Sequence, residues 1–415
     1  MILGGQMQLG WIDFSKADRD KTLDIINLFS KEGTLDELGI ASIRDGFSNL
    51  FFPGTTTIQT RAKYFFVVPY ALQQLERSNK KKLLNELKSI EKDCCKAFLD
   101  NDNNEKGIIG KTSYQNNFKT WVKRTPASVY WSGLKRYGIF IANKDLSLTE
   151  YLALIEKRKE EKDNIRILGN NADDNVEENL YDDKNAGYYN YHSQSVWNMP
   201  LYEDNWIDNL TIELTQKEAN FLKKQIIKTC EDSLLALVLK NDCKKFMYCN
   251  SFNDLEKIIN KFPFQIRKDY KLAIDFSKFM NPIFVYYNSI ISKNKNKTVQ
   301  KDLKKINLKE TGKINIEQII EKFKNNSPPS FSNLERFLIK SKKFMNDNNS
   351  EALKKLIQER EINLKGQSRA KTTHVGQFNS EKWYGEKELN YRFSIARGLV
   401  RDIWGYKEEN NVKSN

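Results

Sequence analysis

Two stretches of this sequence combine cationic and hydrogen-bonding side chains in patterns that suit the binding of an anion. The first is PGTTTIQTRAKYF, residues 53–65, where a Pro-Gly turn and three threonines predict the start of a helix. The first turn of a helix exposes backbone N–H groups, which attract anions. DNA phosphates or base edges would therefore suit four side chains here: Gln59, Thr60, Arg61 and Lys63. The alternative is structural: Arg61 pairs internally with Asp45 or Asp13, and the threonines only cap the helix.

The second stretch lies near the C-terminus, where five of the 15 arginines fall between residues 360 and 401. A helix is predicted over about 388–405, with a buried stripe formed by Tyr391, Ile395, Leu399 and Ile403. Arg397 and Arg401 lie four residues apart on another face. Two neighbouring guanidinium groups repel each other unless an anion lies between them, and Asp402 and Glu388 are expected to be poorly placed to neutralise both.

We therefore expect Arg397 and Arg401 to line a phosphate-binding surface. Four further cations are predicted to contribute: Lys365, Arg369, Lys371 and Arg392. The alternative is an ordinary helix pair whose arginines form salt bridges with nearby carboxylates, namely Glu359, Glu361, Glu386 and Glu388.

No set of residues predicts a catalytic centre. GIIGKTS at 107–113 resembles the end of a phosphate-binding loop, but position 105 is Glu where that loop needs Gly, which favours a plain turn with a helix cap. The Glu86–Lys88 pair lies in a lysine-rich amphipathic stretch, and the two histidines are distant from every cysteine. We expect no cofactor and no metal, and a protein without enzymatic activity. A divergent metal-dependent nuclease remains the catalytic alternative.

The charge of the chain points to a polyanionic partner. The 415 residues carry a net charge of +14, and residues 191–415 hold 40 basic and 27 acidic side chains, an excess of 13. The five cysteines are interpreted as reduced thiols, because a chain of this size needs no disulfide framework. No apolar run is long enough to span a membrane, so a cytoplasmic protein is expected.

The predicted fold class is mainly α, multi-helical, with little or no sheet. Three N-terminal helices are predicted: one over 18–30, one from Thr34 through Phe47 with Glu37 at the capping-box position, and one that begins among the threonines at 55–57. Together they predict a helix-turn-helix-like N-terminal unit. The aromatic stretch SVYWSGLKRYGIF is interpreted as core. The predicted divisions are an N-terminal helical domain, an acidic and polar linker, a central helical domain and a basic C-terminal region, at 1–155, 156–205, 206–325 and 326–415.

The chain also resembles a known bacterial family. It resembles the family called domain of unknown function 6361. Five segments carry the resemblance: GWIDFS at 10–15, the segment 33–70, RTPASVYWSGLKRYGI, LTQKEANFLKKQI and LNYRFSIARGLVRDIW at 389–404. That resemblance implies a setting beside helicases and phospholipase-D-like nucleases of anti-phage defence loci. The expected function is an accessory role in which the protein binds DNA, a helicase or nuclease partner, or both. A protein-only scaffold without nucleic-acid contact is a further alternative.

Overall fold

The computed structural model describes residues 36–101, 106–142, 145–168, 196–203, 205–325, 327–375, 378–379 and 381–405. Across these residues the chain forms sixteen α-helices and three short 3-10 helices. Strand pairing within the same residues is limited to one isolated bridge, between Phe140 and Trp197. The mainly α, multi-helical fold class is thus confirmed. No helix in these ranges is both long and apolar enough to cross a membrane.

The chain forms two compact units, each built from two separate stretches. Unit 1 comprises residues 1–43 and 275–389, and unit 2 comprises residues 44–274 and 390–415. These units differ from the predicted division into consecutive segments, because the C-terminal stretch belongs to the same unit as residues 44–274. The proposed linker also differs, since helix runs from Leu148 through Leu168. Residues 169–195 lie outside the described residues.

The helices are numbered here in chain order. Those with all or most of their residues in unit 2 are α1 (Ala41–Phe51), α2 (Tyr64–Arg77), α3 (Leu83–Asn101), α4 (Lys111–Gln115), α5 (Pro126–Arg136), α6 (Leu148–Leu168), α7 (Gln216–Thr229), α8 (Leu234–Lys240), α9 (Glu256–Ile259) and α16 (Phe393–Trp404). Helix α10 (Phe264–Ile291) contributes to both units. Unit 1 further contains α11 (Lys297–Leu303), α12 (Leu308–Gly312), α13 (Ile316–Lys324), α14 (Phe331–Asn346) and α15 (Ser350–Lys365).

The N-terminal helices begin later than the sequence predicts. The Asp36 carboxylate accepts hydrogen bonds from the backbone N–H groups of Ile40 and Ala41, at 2.8 and 2.6 Å, and thereby caps α1. Thr34 and the predicted helix over 18–30 lie outside the described residues. Twelve residues, 52–63, connect α1 to α2.

Residues 53–63 form turns, so the prediction that a helix starts among the threonines is wrong. Thr55 donates its hydroxyl to the Phe52 carbonyl at 2.6 Å. The Gln59 amide donates to Gly54 O and accepts from Thr56 N–H, both at 3.1 Å. Side chains that bond nearby backbone groups in this way compete with helix formation. The segment therefore remains a sequence of turns until Tyr64.

The aromatic stretch around α5 lies in the core of unit 2. Tyr130, Trp131 and Tyr137 are buried, which confirms that the aromatic stretch around α5 is core. Tyr137 donates its hydroxyl to Pro53 O at 2.9 Å, and its ring lies where a side chain on Gly54 would be. The Gly54 backbone has φ = +78°, so glycine suits both the conformation and the close approach. These contacts fix the turn that precedes the candidate site.

Helix α16 is shorter than predicted. It spans Phe393–Trp404, because Tyr391 and Arg392 adopt left-handed backbone conformations that end any extension toward residue 388. Leu399 and Ile403 of the predicted stripe are buried, whereas Ile395 is half-buried. The sequence pattern thus assigned the core-facing side of this helix largely correctly.

A buried carboxylate makes the stability of unit 2 dependent on pH. Glu91 of α3 accepts a hydrogen bond from Ala127 N–H, in the first turn of α5, at 2.8 Å. Burial is the main cause that raises its pKa to about 7. The folded protein then binds a proton between about pH 4.5 and 7 that the unfolded chain does not hold, so this contribution to stability falls as pH rises.

We predict that Glu91→Gln becomes more stable relative to the native protein as pH rises from 5 to 8, by on the order of 3 kcal/mol over the full range. Chemical denaturation at several pH values measures this difference. Glu86→Gln, on the same helix, controls for the loss of one carboxylate. A pH-independent difference between Glu91→Gln and the native protein would contradict the prediction.

Candidate nucleic-acid interface

A cavity of about 280 Å³ in unit 2 joins the two stretches that the sequence singles out. It lies between the segment before α2, the turn before α4, the region after the 3-10 helix Lys244–Tyr248, and α16. We call this cavity the basic pocket. Its lining residues are Gln59, Thr60, Arg61, Lys106, Gly107, Met247, Asn250, Ser394, Ile395, Arg397, Gly398 and Arg401.

The electrostatic character of the basic pocket is strongly positive. Three arginines and Lys106 line it, and its lining, drawn from the described part of the chain, contains no Asp or Glu. The carboxylate of Asp402, which is not part of the lining, lies 3.0 Å from Arg61 Nε. Among the described residues, four cationic side chains therefore line the cavity. An anion with several oxygen acceptors suits such a cavity.

Arg61 and Asp402 form the buried ion pair that closes the pocket. The Arg61 Nε atom lies 3.1 and 3.0 Å from the two Asp402 carboxylate oxygens, across 341 positions of sequence. The same carboxylate accepts from the Ala62 N–H at 2.8 Å, just before α2 begins. The Asp402 carboxylate therefore lies against the backbone just before α2. Arg61 has an internal carboxylate partner, as the structural alternative expects, in Asp402, whereas Asp13 lies outside the described residues.

A buried tyrosine fixes the backbone that carries Arg61. The Tyr130 hydroxyl accepts from Thr60 N–H and donates to Arg61 O, both at 2.8 Å. Burial raises the pKa of Tyr130 above its usual range, so the hydroxyl stays protonated and can donate. Gly107 packs against the stem of Arg61, where an added Cβ would lie 3.0 Å from Arg61 Cγ. The guanidinium is therefore held by both its backbone and its neighbours.

The two arginines of α16 stand on the wall opposite Thr60. Arg397 donates from Nε to the Met247 carbonyl at 3.1 Å, which anchors its guanidinium beside the cavity. The Arg401 Nε lies 3.6 Å from Asp402, and about a third of the Arg401 side chain is exposed. Asp402 thus lies close to both Arg61 and Arg401. It contributes to the neutralisation of Arg401, one of the two arginines that the prediction pairs.

Two predicted contacts near α2 have structural partners instead. Gln59 is buried and its amide bonds the turn backbone, so it does not present its amide to a base edge. Lys63 is also buried, with Nζ 2.8 Å from both oxygens of Glu218. Glu218 completes the capping box of α7 with Thr215. Lys63 therefore belongs to the packing of unit 2 and is removed from the candidate surface.

Arg392 also has protein partners. It donates to Asn49 Oδ1 and Thr55 O at 2.9 and 2.8 Å, and lies 3.2 Å from the Asp45 carboxylate. Asp45, which the sequence offers as a partner for Arg61, thus pairs with Arg392. Arg392 holds the turns before α2 and does not line the basic pocket.

The three remaining predicted cations lie in unit 1, and two of them are neutralised there. Lys365 pairs with Glu37 and Glu361, and Lys371 lies 2.6 Å from Glu37. Tyr287 donates to both carboxylates, at 2.9 Å to Glu37 and 2.6 Å to Glu361. This cluster is buried or nearly so, and its charges balance within it.

That balance corrects the prediction that Lys365 and Lys371 contact phosphate. Arg369 is exposed and donates from Nε to Lys365 O at 2.8 Å. Glu361, offered as a partner for the arginines, accepts instead from lysine and tyrosine.

Sequence reasoning missed several lining residues. Lys106 and Gly107 open the KGIIGKTS segment, but the Gly110–Lys111 pair of that segment does not line the pocket. Met247, Asn250 and Ser394 carried no recognisable motif. Only the weak similarity of residues 107–113 to a phosphate-binding loop could have drawn attention to Lys106. Within the described residues, no group of three or more His, Cys, Asp or Glu could hold a metal ion.

Comparison with known proteins supports the family resemblance over part of the chain. Residues 6–168 match the model described as Family of unknown function (DUF6361). The matched region contains the Gln59–Arg61 segment and Lys106, whereas α16 lies beyond it. Neither the search of curated proteins nor the search of solved structures finds a match.

We predict that Arg61→Met lowers the free energy of unfolding by about 3–5 kcal/mol, because it leaves the Asp402 carboxylate buried without its main partner. Urea denaturation measures the loss. The double variant Arg61→Met/Asp402→Leu removes both charges and should recover part of it. A loss below about 1 kcal/mol for the single variant would show that the pair is not a structural closure.

Proposed function

We propose that this protein binds nucleic acid through the basic pocket and acts as a non-enzymatic accessory component of a bacterial anti-phage defence system. The observation that carries the proposal is the convergence of Arg61, Arg397, Arg401 and Lys106 on one cavity, whose lining among the described residues contains no Asp or Glu. Phosphate oxygens accept the forked hydrogen bonds that guanidinium groups donate. The volume of the cavity, about 280 Å³, suits one phosphate with its attached sugar. It suits the flat surface of a duplex less well.

The broader setting comes from the family resemblance. The match over residues 6–168 supports that resemblance, and the family implies a place beside helicases and phospholipase-D-like nucleases. We therefore propose a helicase or nuclease as the protein partner and a cytoplasmic setting for the complex. A divergent nuclease is tested directly by incubating the protein with labelled DNA and Mg²⁺ or Mn²⁺. Cleavage that co-purifies with the protein would replace the accessory role.

A cavity in unit 1 favours a second candidate function, the docking of a protein partner. It measures about 470 Å³ and has apolar walls that include Leu334 and Leu364. Arg360 lines it while buried, donates to Leu38 O and Gly39 O, and has no carboxylate within 4 Å among the described residues. Arg336 and Lys340 stand exposed at its edge. This chemistry suits a partner segment that carries acidic and apolar side chains together.

The partner surface has a direct test. Arg336→Glu/Lys340→Glu should abolish co-purification with a co-expressed helicase or nuclease partner in nuclease-treated extracts, while nucleic-acid binding is retained. Unchanged co-purification of the folded variant would remove this cavity from the proposal.

We predict that Arg397→Glu/Arg401→Glu lowers DNA affinity by at least about tenfold. The slope of log affinity against log salt concentration should also become shallower by about 1–2, because a complex with fewer phosphate contacts releases fewer counterions when it forms. Fluorescence anisotropy at several salt concentrations measures both quantities. Lys224→Glu/Lys228→Glu is the matched control, since these exposed lysines have the same spacing on α7 of the same unit. Equal effects of the two double variants would point to non-specific charge.

We predict that Gly398→Leu lowers DNA affinity by about an order of magnitude without any change of charge. A Cβ at Gly398 would meet only Thr60 O, at 3.9 Å, so the larger side chain extends into the basic pocket without a backbone clash. Gly398→Ala adds a single methyl group and should bind almost normally. Native affinity for Gly398→Leu, with an unchanged melting temperature, would show that DNA does not enter the pocket.

A further inference from the structure

An exposed tyrosine stands directly beside the basic pocket. Tyr248 ends the 3-10 helix Lys244–Tyr248, and its residue surface is 70 % exposed. The residues just before it, Phe246 and Met247, are almost completely buried. The short helix is therefore anchored in the core while its last side chain faces solvent.

The chain on both sides of Tyr248 forms part of the pocket wall. Met247 lines the cavity and its carbonyl accepts from Arg397 Nε at 3.1 Å. Asn250, two residues later, lines the cavity as well. Consecutive Cα atoms lie about 3.8 Å apart. A single nucleotide can therefore span from Tyr248 to the phosphate that Arg397 would contact.

We infer that the ligand is single-stranded nucleic acid, with one phosphate in the basic pocket and an adjacent base stacked on Tyr248. This inference rests on the proposed function. In a duplex the flat faces of the bases are covered by their neighbours, whereas a single strand can present a face to an aromatic ring. A cationic cavity beside an exposed ring is the combination that single-strand binding uses. Stacking tolerates any base, so little sequence preference is expected.

The unit also offers a control for ordinary surface aromatics. Phe264, the first residue of α10, is likewise 70 % exposed but does not line the pocket. Its ring lies 5.8 Å from the Arg267 guanidinium carbon. If exposure alone produced binding, Phe264 and Tyr248 would contribute equally.

The test compares binding of labelled oligo-dT of about twelve nucleotides with binding of a duplex of equal length. The native protein should prefer the single strand by at least about tenfold. Tyr248→Ala should weaken single-strand binding by about 5- to 100-fold, Tyr248→Phe should retain it within about threefold, and Phe264→Ala should leave it unchanged. Thermal melting confirms that each variant is folded.

The outcomes separate this inference from the proposal on which it rests. If Arg397→Glu/Arg401→Glu weakens binding but Tyr248→Ala does not, nucleic-acid binding stands and the stacking inference is overturned. A preference for duplex would also overturn it. If the native protein binds neither oligonucleotide, the proposed function itself fails.

Discussion

Unit 2 depends on one buried ion pair, between Arg61 and Asp402. It ties the turns before α2 to α16 across 341 positions, and the Asp402 carboxylate also accepts from the Ala62 N–H. Burying such a pair costs desolvation, which the added hydrogen bonds offset in part. The same contact brings Arg61 next to Arg401, because the Nε atom of Arg401 lies 3.6 Å from the Asp402 carboxylate. The interaction that closes the unit therefore also places Arg61 and Arg401 in the lining of one cavity.

The cations of this protein divide into those used for packing and those left facing a cavity. In unit 2, Lys63 is held by a buried carboxylate, that of Glu218. In unit 1, Lys365 and Lys371 are balanced by Glu37 and Glu361. The count of 68 basic side chains therefore overstates how many cations are open to an anion, because those in buried pairs are already neutralised, whereas balanced pairs leave the net charge of +14 unchanged. The basic pocket differs because three arginines and a lysine line one cavity.

The sequence predicted local features well and long-range pairing poorly. The aromatic core around α5 depends on neighbours three or four residues apart, and it is as predicted. The start of α2 was misplaced, because Gln59 satisfies backbone groups that a helix would have used. Arg61 and Arg401 come from two separate stretches, and no local pattern could show that Asp402 joins them. The two-unit arrangement was missed for the same reason, since each unit combines distant segments.

The central claim is that nucleic acid enters the basic pocket, and a crystal structure of the protein with bound oligo-dT tests it most directly. We predict a phosphate within hydrogen-bond distance of Arg397 and Arg401, at about 2.7–3.0 Å, with a base lying flat against Tyr248. An oligonucleotide bound on another face, with the basic pocket holding only water, would contradict it.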